Sequence, residues 1–209
     1  MSKHKQSPTD NSQGISRRSF LKGAGVAAAG TAVLNSGLLG QATEAHSEII
    51  GPDATTVKLN VNGTVKRVSV EPRTTLAEAL RDELHLTGTK IVCDRGSCSA
   101  CTVMLDGTPV NSCMTFALDA IDRKITTIEG LGNPTHLHPL QAAFVEHDGT
   151  QCGYCTSGMV MSCAALLERN PNPTAADVQQ AISGNICRCG TYPKVVEAAL
   201  AAARPAKGA

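Results

Sequence analysis

The sequence predicts an α+β chain, with a small sheet-bearing domain over residues 55–130 and a four-helix bundle over 131–209 that ends in a short tail. Three observations carry this. Val57, Leu59 and Val61 alternate with polar residues, and Val65, Val68 and Val70 follow across Asn62-Gly63, which is strand periodicity around a tight turn. A loop rich in cysteine and small residues, Cys93 to Cys101, breaks that pattern. From Pro139 onward the apolar spacing becomes helical, beginning with Leu140, Ala143 and Phe144.

Taken in order, residues 1–45 precede any folded domain. Residues 1–15 are polar. Ser16-Arg17-Arg18-Ser19-Phe20-Leu21-Lys22 then leads into an Ala- and Gly-rich apolar run from Gly23 to Gly40. Paired arginines directly before such a run have the form of a twin-arginine export signal. The run barely reaches the length of a membrane span and contains Thr31, Asn35 and Ser36, so no stable membrane anchor is expected. Cleavage after Ala42 or Ala45 satisfies the small-residue rule, and residues 46–54 read as a linker. The signal predicts a periplasmic protein exported already folded through the twin-arginine translocon. Its thiolates would then be metal-bound before they meet an oxidising compartment, where bare cysteines pair.

After the 57–70 hairpin, Thr75-Leu76-Ala77-Glu78 is a capping box that opens a helix to about Leu84. Thr102–Leu105 reads as a strand, Asp106-Gly107 as a turn into a strand over 108–110, and Lys124–Ile128 as a further strand. Hairpin, helix, cysteine loop and strands together describe a plant-ferredoxin-like β-grasp domain.

The loop itself reads Cys93-Asp94-Arg95-Gly96-Ser97-Cys98-Ser99-Ala100-Cys101, with Cys113 beyond it. C-x4-C-x2-C followed by a fourth cysteine is the plant-type spacing for a [2Fe–2S] cluster. Three ligands on one loop must wrap the cluster closely, so the residues between them must be small enough for backbone N–H groups to face the sulfides. Gly96, Ser97, Ser99 and Ala100 meet that demand, and Gly96 can adopt backbone angles closed to other residues. Tetrahedral zinc favours paired C-x2-4-C units instead.

In the helical part, Gln151-Cys152-Gly153-Tyr154-Cys155 precedes a helix whose apolar face carries Met159, Val160, Cys163, Leu166 and Leu167. Asn170-Pro171-Asn172-Pro173 ends it. Thr174 with Asp177 caps the next helix and Gly184 closes it. Cys187-Arg188-Cys189-Gly190 follows, and Pro193 opens a last helix to about Ala203. Each cysteine pair sits ahead of a helix start, where free N–H groups and the positive dipole end suit an anionic centre. A second [2Fe–2S] site on Cys152, Cys155, Cys187 and Cys189 fits this layout. Spacing alone leaves zinc open. A C-x-C disulfide is geometrically poor.

The stretches Cys93–Val103, Gln151–Gly158 and Gly184–Gly190 together resemble the two-cluster iron–sulfur subunit of molybdenum hydroxylases, the family of xanthine dehydrogenases and aldehyde oxidoreductases. Ile128-Glu129-Gly130-Leu131 and His138–Phe144 also look like that family. The resemblance spans about residues 55–203, and with the twin-arginine start it is nearest to the iron–sulfur subunit of periplasmic aldehyde oxidoreductases. Ser97 and Ser99 stand where the family commonly has larger residues or Gly, and Gly190-Thr191 inverts its more common Thr-Gly; neither change removes a thiolate.

The resemblance implies that substrate is oxidised at a molybdopterin centre on a large partner subunit. Electrons pass to the cluster of Cys152, Cys155, Cys187 and Cys189, then to that of Cys93, Cys98, Cys101 and Cys113, and leave through an FAD-binding subunit or another acceptor. It also implies that Gln151 hydrogen-bonds the pterin, and that Cys189 is a ligand whose surroundings touch it. Without the resemblance, Gln151 reads as a polar helix-start residue. The chain carries no substrate-activating group, so no catalytic residue is expected on it.

Composition closes off other classes. Of the five basic residues in the first 22 positions none belongs to a folded domain, and from His46 onward 14 Lys and Arg face 16 Asp and Glu. No basic patch with interleaved aromatics exists, so nucleic-acid binding is not expected. With three Phe, two Tyr and no Trp, the core lacks its usual large payload, and bound clusters would serve as staples. Cys163, mid-helix among apolar residues, reads as a buried small side chain. His136 and His138 read as solvated or hydrogen-bonding groups rather than metal ligands. Arg188 reads as a modulator of local potential or a carboxylate partner. A free-standing exported ferredoxin-like carrier and a zinc- or disulfide-stapled binding protein are the competing functions; the helical part argues against the first, because a lone carrier needs only the first cysteine set.

Overall fold

A computed structural model describes residues 51–203. The twin-arginine stretch, the apolar run and most of the linker lie outside the described residues.

Strands β1 (Thr55–Val61) and β2 (Thr64–Val70) form the expected antiparallel hairpin. Its turn residues Asn62 and Gly63 both have positive φ, 52° and 77°, as the tight turn demands. Helix α1 (Leu76–Glu78) begins at the predicted capping box: Thr75 accepts from the Glu78 amide, and the Glu78 carboxylate accepts from Thr75 N at 2.7 Å. It then widens into a π-helical stretch, Ala79–Glu83, closed by Leu84 N donating to Ala79 O. The expected single helix is thus α only in its first turn. Strands β3 (Thr102–Leu105) and β4 (Thr108–Asn111) pair antiparallel across Asp106-Gly107.

β5 (Lys124–Thr126) is shorter than the 124–128 strand the sequence suggests. Thr127 leaves the ladder because the Asn62 side chain takes over its hydrogen bonds: Thr127 N donates to Asn62 Oδ1 and Asn62 Nδ2 donates to Thr127 Oγ1, both at 2.9 Å. Ile128 instead starts a short helix, α2 (Ile128–Leu131). The sheet order is β2-β1-β5-β3-β4, with β1 and β5 parallel and β5 and β3 antiparallel.

Four further helices follow: α3 (Pro139–Glu146), α4 (Thr156–Arg169), α5 (Ala175–Ala181) and α6 (Tyr192–Ala203). Pro139 sits in the first turn of α3, capped by His138 Nδ1 accepting from Leu140 N. The Thr174–Asp177 capping box opens α5 as predicted. Gly184 does not close α5; Ile182 is its C-cap, and Asn185 N donates to Ile182 O to complete the turn. Gly184 lies instead against the first cysteine loop, its would-be Cβ 3.3 Å from Ser99 Oγ.

Two large apolar clusters result. Leu59, Val61, Leu76, Leu80, Val103, Leu105 and Ile125 fill the space between sheet and α1. Leu140, Phe144, Met159, Met161, Val178 and Val195 fill the space among the helices, joined by Met104 from β3. β3 is therefore buried on both faces, with Val103 and Leu105 toward one cluster and Met104 toward the other. Helix α4 packs on it, which explains why Gly158 through Ala165 are all buried rather than one face only. Among the described residues no helix is long and apolar enough to cross a membrane.

Candidate iron–sulfur centres

The first cysteine set hangs between α1 and β4. The loop carrying Cys93, Cys98 and Cys101 is bent by three residues of positive φ: Asp94, Gly96 and Ser99, at 53°, 70° and 52°. Side chains pin its carbonyls. Asn111 Nδ2 donates to Gly96 O at 3.1 Å, Ser112 Oγ to Cys101 O at 2.6 Å and Thr102 Oγ1 to Ser99 O at 2.8 Å. A turn of 3-10 helix, Ser112–Met114, follows β4 and carries Cys113 to Cys101, so that these two pack together with Ala77 of α1.

The thiols respond to one another. Burial pushes the Cys113 thiol up to about 11, helped by its hydrogen bond with the Cys101 thiol and by the charges of Cys101 and Cys93. Burial also opposes ionisation of Cys93, but backbone bonds at Arg95, Ser97 and Cys98, with the Cys98 side chain, outweigh it and bring Cys93 down to about 7. The loop thus presents hydrogen-bond donors to anionic sulfur.

The second set forms where α4 and α6 begin. Cys155 is the N-cap of α4. Cys187 lies beside it: burial, the Cys187 hydrogen bond and nearby thiolate charge raise Cys155 to about 12. Cys187 falls to about 7, because the Thr191 side chain and backbone, the Cys155 thiol and Gly190 outweigh burial. Thr191 Oγ1 stands 3.1 Å from Cys187 Sγ. Cys152 and Cys189 are neighbours of each other on the exposed side, where backbone bonding at Cys152 is outweighed by the Cys152 side chain, burial and thiolate charge, and Cys189 is raised. Gln151 is exposed, one residue before Cys152. Cys163 is fully buried away from both sets, and burial alone raises its thiol to about 12.

All nine cysteines are free. Among the described residues no three His, Cys, Asp or Glu side chains close around a single ion. A binuclear cluster spreads four thiolates over two irons, and two groups of four thiols, each close enough to shift one another's ionisation, fit that larger object. The spacing pointed to the cysteines. It did not point to Asn111, Ser112, Thr191 or Tyr192, whose signal was only that they are polar residues close to one of those cysteines in sequence.

A sheet domain and a helical domain, each presenting four thiols, define a two-cluster iron–sulfur protein. Comparison with known proteins agrees. Residues 59–125 match the 2Fe-2S iron-sulfur cluster binding domain and residues 127–200 the [2Fe-2S] binding domain, while residues 14–33 match the TAT (twin-arginine translocation) pathway signal sequence. The aldehyde oxidoreductase iron-sulfur-binding subunit PaoA of Escherichia coli K12 is 40% identical, over 95% of this chain and 96% of its own. Among solved structures, quinoline 2-oxidoreductase of Pseudomonas putida 86 has a chain with TM-score 0.70 and 40% identity, covering 72% of this chain and 94% of that one. The aldehyde oxidoreductase of Desulfovibrio gigas gives TM-score 0.68 and 41% identity over 71% of this chain, but only 17% of its own. The chain belongs to the iron–sulfur subunits of the molybdenum hydroxylase family.

Proposed function

We propose that this chain is the electron-transfer subunit of an exported molybdenum-containing hydroxylase, acting between a molybdopterin centre on a large partner subunit and FAD on another or a different acceptor. The observation that carries this is the pair of four-thiol groups held by directly hydrogen-bonded loops. The 40% identity to a protein named as an iron-sulfur-binding subunit, over 96% of that subunit, supports the partner. When bound, the two clusters supply one-electron storage between a two-electron oxidation and its acceptor.

Cys93, Cys98, Cys101 and Cys113 would hold one cluster, and Cys152, Cys155, Cys187 and Cys189 the other. The protein's own part is to place these thiolates and set the charge and hydrogen bonding around them. Asn111, Ser112 and Thr102 hold the first loop's carbonyls back, which leaves its N–H groups free for sulfur. In the second set, Cys155 and Cys187 are buried while Cys152, Cys189 and Gln151 are exposed. That face is where a pterin-bearing partner would dock, with Gln151 available to bond the pterin and Cys189 beside it. We read α3 to α6 as one four-helix bundle, supported by their shared apolar cluster, and place the assembly in the periplasm on the strength of the export signal.

The test is to isolate the native complex and measure iron, labile sulfide and zinc, then assay aldehydes and N-heterocycles with an artificial acceptor. Four irons and four sulfides per chain with a co-purifying large subunit are expected. Stoichiometric zinc would end the iron–sulfur reading, and a chain that purifies alone would favour a free carrier.

A further inference from the structure

The two cysteine sets meet across a small polar network centred on Asn185. Asn185 is 3% exposed, so its polar atoms depend on protein partners. Its Nδ2 donates to Ser99 O at 3.0 Å, inside the first cysteine loop. Its Oδ1 accepts from Ser162 Oγ of α4, also at 3.0 Å and buried. Its backbone O accepts from the Tyr192 hydroxyl at 3.1 Å, and that hydroxyl in turn accepts from Cys187 N at 2.8 Å. The next residue, Ile186, donates its N–H to Cys98 O at 3.1 Å. One short segment, 185–187, is therefore bonded to a ligand of the first set, to the residue after it, to α4 and to the start of α6.

Ser99 is the receiving end, and its backbone is the kind that needs holding. It has φ of 52° without being glycine, and its carbonyl takes both Thr102 Oγ1 and Asn185 Nδ2. A carboxamide suits this position for a chemical reason. It donates toward one segment and accepts from another through atoms on one rigid plane, which neither a hydroxyl nor a carboxylate does.

We propose that Asn185 is a positioning residue that fixes the separation and mutual orientation of the two cysteine sets, and hence of the clusters they hold. This rests on the eight cysteines being cluster ligands, which iron analysis of the unmutated complex checks independently. Asn185 does not touch a sulfur. It acts through Ser99 on the first loop and through Tyr192 on the Cys187 amide.

The readout is the magnetic interaction between the two clusters, which falls steeply with distance and depends on orientation. The complex is fully reduced, and splitting and relaxation enhancement of the two EPR signals are recorded for the unmutated protein, Asn185→Ala, Asn185→Asp and Ser162→Ala. Thr174→Ala, a cap lost at the far end of α5, serves as a control for lowered stability. Asn185→Ala and Asn185→Asp should retain four irons yet show diminished interaction, because both lose the bond to Ser99 O; Ser162→Ala should show a smaller change of the same sign. Thr174→Ala should lower the melting temperature and leave the interaction unchanged. An unchanged interaction in iron-replete Asn185→Ala would overturn the proposal, since a purely structural role changes stability alone. If the Asn185 variants fail to retain iron, Ser162→Ala decides by the same criterion.

Discussion

Gly158→Ala sets two physical effects against each other. Gly158 lies in the first turn of α4, and replacing a helical glycine by alanine ordinarily gains up to about 1 kcal/mol. Here a Cβ would stand 2.2 Å from Ser99 O, 3.0 Å from Ala100 Cα and 3.1 Å from Ser99 C. All three are backbone atoms, so no side chain can swing away. Restoring ordinary contact requires a movement of about 1 Å, and overpacking of this kind costs about 1–3 kcal/mol. Moving Ser99 also weakens the two shorter hydrogen bonds to its carbonyl, from Thr102 Oγ1 and Asn185 Nδ2, each worth about 1 kcal/mol. The net is a loss of roughly 2–4 kcal/mol, or a melting temperature lower by roughly 4–16 °C for a chain of this size. The assay is thermal denaturation of the cluster-loaded complex with EPR of the first cluster. A melting temperature equal to or above that of the unmutated complex, with an unchanged signal, would refute the claim that α4 is pressed against the first loop.

Three other outcomes are expected. Cys163→Ala and Cys163→Ser should both retain four irons and both EPR signals, with Ser the less stable by about 1–3 kcal/mol because it buries a hydroxyl in an apolar site; loss of either signal would show that the ligand assignment is wrong. Burial holds the His138 imidazole below its ordinary value of 6.5, against the pull of Glu168, so the unfolded chain takes up the proton first. Stability should therefore be full above pH 6.5 and decline as pH falls through the folded value, while His138→Asn, which still caps α3, should lack that decline in denaturant titrations at successive pH values. Changing Arg17 and Arg18 together to Lys should leave an active, cluster-loaded assembly in the cytoplasm; cell fractionation showing periplasmic activity at the unmutated level would refute export by the twin-arginine route.

Features set by neighbouring residues were readable in advance. The Asn62-Gly63 turn, the capping boxes at Thr75 and Thr174, the stop at Asn170 and the start near Pro193 each follow from chemistry within a few residues. Features set by distant contacts were not. β5 ends early because Asn62, 65 residues away, captures Thr127. Gly184 looked like a helix stop, yet its small size answers to Ser99 on another element. The cysteine spacings marked out two sets, whereas the packing of Cys113 on Cys101 and the approach of Cys155 to Cys187 depend on how separate elements fold together. Asn185 was visible as one letter two places before a cysteine, but its partners lie 86 and 23 residues away.

The order of the sheet also governs when it can be completed. β1–β2 and β3–β4 are hairpins that zip locally, and only the three residues of β5 stitch them into one sheet. Joining β1 to β5 closes a loop of about 60 residues, an entropic cost of about 4 kcal/mol before the pairing returns anything, so this is the slow, late event in assembly. The first four cysteines all lie inside that loop. Until β5 docks, β1 keeps an open edge, a template for pairing with another chain, and Val61 and Ile125 lack their cover. A newly made chain is thus most prone to aggregation during the same interval in which its first cysteine loop is most open to solvent.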